Sequence, residues 1–320
     1  MEAALHDPDH GYYARRISAV GGARADFTTA PMLSGAPARA IATRLLDNHR
    51  RLGITDAIEL GPGEGTLIRQ VRAALPWRTR RKIRFHLVES SPTLTGKQQE
   101  TLGTRHFHWH ADPSSALASC GGRAFLFSNE LIDAFPVRRF RFLEGRWHES
   151  FVVKRDDTRF EIFESPGSLP DSSFFKLCPS IGATFEVHDS YHQWLSEWIG
   201  QWAGGDMLTI DYGGPLQHFR HNGPAGTLRA YLLHQRITGP AVLANPGRQD
   251  ITADVNFDDL TRWGERLGLT TISLQSLGAF LKPHTNPSAP SDRQLLDPDG
   301  AGTAFQVLLQ QRSRIRKNSG

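Results

Sequence analysis

Residues 55–75 read TDAIELGPGEGTLIRQVRAAL: an apolar run, three glycines at alternate positions, then apolar residues at helical spacing. No other stretch constrains the fold as much, because strand, glycine turn and helix in that order open a parallel βαβ unit. Such a turn gathers backbone N–H groups and a helix N-terminus at one spot. Glycines at 61, 63 and 65 keep side chains out of it, which reads as a ligand cradle. An ordinary tight turn is the plain alternative, since a Gly-rich turn alone is weak evidence.

The spacing narrows the ligand. A dinucleotide fingerprint is G-x-G-x-x-G, whereas here Thr66 stands where the third glycine is required and the glycine falls at 65. The pyrophosphate motif is missed by one residue. Glu59 lies two residues before Gly61, and Glu89 closes the next apolar run, IRFHLVE (83–89). An acid at that strand end can accept two hydrogen bonds from ribose hydroxyls. A ligand with a sugar and no pyrophosphate, S-adenosylmethionine, fits best, with Glu59, Gly61, Pro62, Gly63, Gly65 and Glu89 as its pocket.

The rest of the chain extends the same pattern. Residues 34–53 form an amphipathic helix ending at Gly53, and FHWHAD (107–112), AFLFSNE (124–130) and MLTIDYGG (207–214) supply further strands. Apolar runs ending in polar residues describe buried parallel strands whose carboxyl ends meet at a crevice. Residues 138–164 alternate apolar and polar around Glu144-Gly145 and Asp156-Asp157, an inserted antiparallel meander. YHQWLSEWIGQWAGG (191–205) reads as a helix closed by Gly204-Gly205, its Trp194, Trp198 and Trp202 at i, i+4 and i+8 packing into the core. The expected fold is α/β: a Rossmann-like sheet with helices on both faces, an inserted antiparallel β meander and a helical substrate lobe. Its parts are a lid and cofactor-binding half (1–137), the meander and helix (138–205), the remaining sheet with acceptor-side insertions (206–312) and a disordered tail (313–320).

Several separated motifs resemble one family. ELGPGEG, LVESSP (87–92), NELIDAFPV (129–137) and NPGRQDITADVNF (245–257) are similar to the MidA-like methyltransferases. The likeness runs in order from HDPDHGYY (6–13) and ADFTTAP (25–31) through GTLRAYLLHQ (226–235) to GAFLK (278–282) and AFQVLLQ (304–310). Two positions depart: Met32 stands where the family commonly has Glu, and Glu64 where Arg is common. The resemblance implies a class I methyltransferase fold and S-adenosylmethionine as methyl donor. In the family's mitochondrial member, a complex I assembly factor, it also implies methylation of protein arginine.

With that frame, Asn129, Glu130 and Asp133 follow the fourth strand, where groups meet the transferring methyl and its acceptor. Glu130 and Asp133, on neighbouring positions of one helical turn, could hold a guanidinium through charge-assisted hydrogen bonds; capping of a helix N-terminus is their bland role. Asp26, Thr28 and Thr29 could close over the donor as a lid, or simply cap a helix. Asp211 and Tyr212 at the fifth strand's end, and Tyr12 and Tyr13, are candidates for the acceptor side. Asp112 could meet the adenine amino group. His106, His108 and His110 alternate on one strand face as a metal site would need, but no acid or cysteine sits at ligand spacing, and methyl transfer from a sulfonium needs no metal.

Composition limits the remaining classes. No apolar run approaches the roughly 20 residues that span a bilayer. MEAALHDPDHGYY lacks a signal or transit pattern, and Cys120 and Cys178 fall in no ligand spacing, so a cytoplasmic-type protein without membrane segments is expected. The net charge of +4 invites a nucleic-acid partner, yet only six of the 37 basic residues are lysine and the arginines are scattered. The dense run Arg78–Arg84 reads as a solvated loop. The expected activity is methyl transfer to an arginine of a protein substrate. A non-catalytic donor-binding assembly factor is the alternative, and a nicotinamide oxidoreductase is disfavoured by the position of Gly65.

Overall fold

The computed structural model describes residues 1–15, 34–156, 158–232, 235–286 and 288–312. The candidate lid residues Asp26, Thr28 and Thr29, and the tail 313–320, lie outside the described residues.

The strands, in chain order, are β1 (Asp56–Leu60), β2 (Arg84–Val88), β3 (Phe107–His110), β4 (Phe125–Asn129), β5 (Arg138–Leu143), β6 (Arg146–Arg155), β7 (Thr158–Glu164), β8 (Thr184–Val187), β9 (Gly205–Gly214), β10 (Arg229–Leu232), β11 (Gln235–Thr238), β12 (Asp250–Thr252), β13 (Val255–Asn256), β14 (Thr270–Ser276) and β15 (Phe305–Arg312). The large sheet runs β14-β15-β9-β4-β1-β2-β3, with β13 added beside β9. From β3 to β9 every pairing is parallel, and β15 enters antiparallel between β9 and β14. The strand order reverses between β1 and β4, which opens a crevice at their carboxyl ends.

Both faces of this sheet are covered, which is why its strands read as continuous apolar runs. Ala57, Phe125, Phe127, Leu208 and Ile210 pack on one side with helices Ala36–Leu52 and Thr66–Ala74. Ile58, Leu126 and Met207 point to the other side, towards helices Asp189–Trp198 and Phe257–Arg266. Alternation of side chains along each strand assigns each residue to one of these two cores.

The meander is present as β5, β6 and β7, and β8 joins it in an antiparallel sheet ordered β7-β6-β5-β8. Its first hairpin turns on Glu144 and Gly145, both at positive φ (52° and 76°), as a two-residue I′ turn requires. β10, β11 and β12 form a third sheet of three strands.

Two local expectations are corrected. The tryptophan helix ends at Trp198, is followed by a 3₁₀ turn Ile199–Gln201, and Gly205 already belongs to β9. The three tryptophans do pack in the core, and the Trp202 indole N–H donates to the Ala124 carbonyl at 3.0 Å. The basic run 78–84 is not one loop: Trp77–Arg80 is a short helix and Arg84 opens β2, paired with the buried Asp56 at 2.7 Å.

Candidate active site

The carboxyl ends of β1, β2 and β4 converge on a cavity of about 520 Å³. The loop after β3 supplies Ala111 and Asp112, the N-terminal segment supplies Glu2, His6 and Tyr13, and Phe135, Pro136, Ser190 and Trp194 close the side towards the tryptophan helix. A space of this size suits a nucleoside-sized ligand.

The glycine turn forms one wall, although its glycines serve the fold as much as the ligand. The Gly61 N–H continues the sheet onto Val88 O (3.1 Å), and the Gly65 N–H closes the turn on Pro62 O (2.8 Å). All three glycines have positive φ, at 66°, 55° and 74°. A Cβ on Gly61 would stand 2.6 Å from Leu131 Cδ1, and one on Gly65 would stand 2.7 Å from Leu102 Cδ1. The absence of side chains at 61 and 65 therefore admits neighbouring leucines. Gly61, Pro62 and Gly63 line the cavity itself, and Gly65 does not.

The two strand acids have different duties. Glu59 is buried, and its Oε2 accepts the Ile68 N–H at 3.1 Å, so it caps the helix whose own N-cap, Gly65, has no side chain. Burial holds its carboxyl well above the usual range. Glu89 faces the cavity with Oε1 accepting the Ser91 N–H at 2.8 Å, and burial raises its pKa to about 6. Asp112 lines the cavity and caps helix Pro113–Ser119 through the Ser115 N–H at 2.9 Å.

Gln98, which gave no sign of itself in the sequence, ties these parts together. It is fully buried, and its Nε2 donates to Gly63 O at 2.7 Å and reaches Glu89 Oε2 at 3.4 Å, while its Oε1 accepts the Trp109 indole N–H at 2.9 Å. One amide thus fixes the glycine turn to the carboxylate beside it.

At the end of β4 the expected helix is absent. Glu130 adopts φ 53°, and residues 131–137 form a turn and bends, so Glu130 and Asp133 do not share a helical face. Glu130 lines the cavity and accepts from Asn129 Nδ2 at 2.9 Å. Asp133 is buried behind this wall. Burial and the neighbouring Asp211 push its carboxyl well above the usual range. Asn129 Oδ1 is buried in the cavity wall with no partner among the described residues, an acceptor that a ligand N–H would satisfy.

The acceptor-side candidates divide. Tyr13 lines the cavity and donates to Asp250 at 2.9 Å, whereas Tyr12 is packed in a small apolar core with Leu5 and Leu94. Neither Asp211 nor Tyr212 reaches the cavity wall. Asp211 is fully buried, and Tyr212 packs against Phe305, the two rings tilted by 34°, with the Arg229 guanidinium over its ring. His110 and Asp56 both bond to His86, and among the described residues no group of three or more His, Cys, Asp or Glu could hold a metal ion. Among them, too, no helix is long and apolar enough to cross a membrane.

A family described as "Putative S-adenosyl-L-methionine-dependent methyltransferase" matches residues 40–275. The chain belongs to this family. It is an S-adenosylmethionine-dependent methyltransferase, and the cavity built on its glycine turn fits that donor. Over 97% of its length it superposes with TM-score 0.82 and 25% identity on 86% of a Burkholderia thailandensis protein solved with S-adenosyl-homocysteine bound. It is 28% identical to the fruit-fly "Protein arginine methyltransferase NDUFAF7 homolog, mitochondrial", covering 96% of this chain and 79% of that one. It is also 28% identical to the human "Protein arginine methyltransferase NDUFAF7, mitochondrial", covering 89% of this chain and 67% of that one. These mitochondrial relatives overturn the cytoplasmic expectation. They are longer than this chain, so the residues with which it opens carry no reading of a compartment.

Proposed function

We propose that this methyltransferase modifies arginine side chains of a polypeptide, the activity that its NDUFAF7 relatives are named for. The observation that carries the reading is the charge of the cavity. Six acidic residues line it, Glu2, Glu59, Glu64, Glu89, Asp112 and Glu130, and among the described residues no lysine or arginine does. In a chain of net charge +4, an acidic cavity selects for cations and against phosphate-bearing acceptors.

The bound donor supplies a methyl group already activated on a sulfonium. Glu89 would accept from the ribose hydroxyls, Asn129 Oδ1 from a donor N–H, and Asp112 would stand at the adenine end, with Pro62 and Gly63 against the donor's backbone. Glu130 would hold the incoming guanidinium through charge-assisted hydrogen bonds and orient one nitrogen at the methyl carbon. Glu130 would take the proton that this nitrogen loses as its new bond to the methyl carbon replaces the carbon–sulfur bond. A lysine would gain less, because its ammonium must be deprotonated before attack and a carboxylate beside it raises its pKa.

Glu130→Gln keeps size and shape while removing the charge. Affinity for S-adenosyl-homocysteine should stay within about threefold, and transfer should fall at least roughly 100-fold, about 2.7 kcal/mol in the barrier. Undiminished transfer in a folded Glu130→Gln protein would remove Glu130 from the mechanism.

A further inference from the structure

Asp211 was a candidate for touching the acceptor, and its position gives it a different task. It lies near the carboxyl end of β9, is 0% exposed, and comes from an element 80 residues away from the turn after β4. Its Oδ2 accepts three successive backbone N–H groups, of Leu131 at 3.2 Å, Ile132 at 2.7 Å and Asp133 at 3.4 Å, and its Oδ1 accepts the Tyr212 N–H at 2.9 Å. Consecutive amides converging on one oxygen after a residue at positive φ, here Glu130 at 53°, make an anion-binding concavity out of the backbone itself. The anion that fills it belongs to the protein.

The turn so anchored carries two parts of the site. Its first residue is Glu130, in the cavity wall, and its second is Leu131, whose Cδ1 occupies the space beside Gly61 that a Cβ there would claim. The turn is confined between the donor's glycine loop on one side and Asp211 on the other. We propose that Asp211 is a positioning residue for methyl transfer: by binding the amides of residues 131–133 it sets Glu130 against the acceptor and Leu131 against the donor turn. The inference rests on the role given to Glu130 above. The carboxylate form suits the task, because each N–H is satisfied more strongly by a charged acceptor in a buried site. Burial raises the Asp211 carboxyl and the four N–H bonds oppose it, which leaves it at about 7.

The test compares native protein, Asp211→Asn, Asp211→Ala and Glu130→Gln. In the native protein, hydrogen exchange at the amides of Leu131, Ile132 and Asp133 should be protected; free exchange there would overturn the inference without any variant. Asp211→Asn keeps one carbonyl acceptor but turns an N–H₂ towards the Tyr212 amide. It should raise exchange at 131–133 at least tenfold, leave S-adenosyl-homocysteine affinity within about threefold, and cut transfer from methyl-tritiated donor to extract proteins by roughly 10- to 100-fold. Asp211→Ala should be worse in the same order, and if it fails to fold, the Asn variant decides alone. A role confined to stability would lower the melting point in Asp211→Asn and leave turnover of the folded protein unchanged, which overturns the inference. Full transfer in Glu130→Gln would instead defeat the reading beneath it, while loss in Glu130→Gln with none in Asp211→Asn defeats only the positioning role.

Discussion

Glu89 gives the account its sharpest quantitative handle. One carboxylate oxygen accepts the Ser91 N–H at 2.8 Å and the other reaches Gln98 at a long 3.4 Å, in the wall of the cavity. Glu89→Gln replaces a charged acceptor with a neutral amide. Hydrogen bonds to charged groups contribute about 1.5–3 kcal/mol, so donor affinity should fall roughly 10- to 150-fold at pH 8. The raised pKa adds a second signature. With a value of about 6, the group is about 99% ionised at pH 8 and about 9% at pH 5. A ligand that needs the carboxylate holds it ionised, so acid competes with binding, and the native dissociation constant for S-adenosyl-homocysteine should rise roughly tenfold between those pH values. In Glu89→Gln that slope should vanish. Glu59 and Asp211 also sit above the usual carboxylate range, and the variant separates Glu89 from them because both remain in place. Calorimetric titration from pH 5 to pH 8, with circular dichroism to confirm folding, supplies the data. Equal pH slopes in the two proteins, or affinities within twofold at pH 8, would refute the ribose assignment.

Gly63→Val should abolish measurable donor binding while the protein stays folded, because the residue lines the cavity and its φ of 55° disfavours a branched side chain by about 1–2 kcal/mol; unchanged affinity in a folded variant would clear the turn of that role. Gln98→Leu leaves Gly63 O and the Trp109 indole N–H without the partner they now share, at about 1–3 kcal/mol for each group so stranded. Chemical denaturation should show that loss, and donor affinity should drop with it; a loss of stability alone would make Gln98 purely structural.

The sheet could be read from the sequence because its strands are buried on both faces and its glycine turn has a fixed grammar. Glu59, Gly63, Glu89, Asp112, Asn129 and Glu130 come together at one cavity since each ends a strand or follows one. Tertiary partners lay outside that reading. Gly61 lines the cavity, but that its missing side chain also makes room for Leu131 had no local sign. Glu130 and Asp133 suggested one helical turn by spacing, but three amides bound to Asp211 bend the chain into a turn there. Gln98 sits in a polar stretch, PTLTGKQQE, where nothing marks which glutamine is buried. His6 and Trp194 reach the cavity from distant parts of the chain, which no local pattern could show.

The central claim, methyl transfer to arginine in an acidic cavity, is tested most directly by locating the mark. The protein is incubated with a protein extract and methyl-tritiated S-adenosylmethionine, and the labelled products are digested and sequenced by mass spectrometry. The account predicts methyl groups on arginine, lost in parallel with turnover in Glu130→Gln. Label found only on lysine, carboxylates or nucleic acid would contradict it, as would S-adenosyl-homocysteine binding with no transfer to any product, the result expected of a non-catalytic assembly factor.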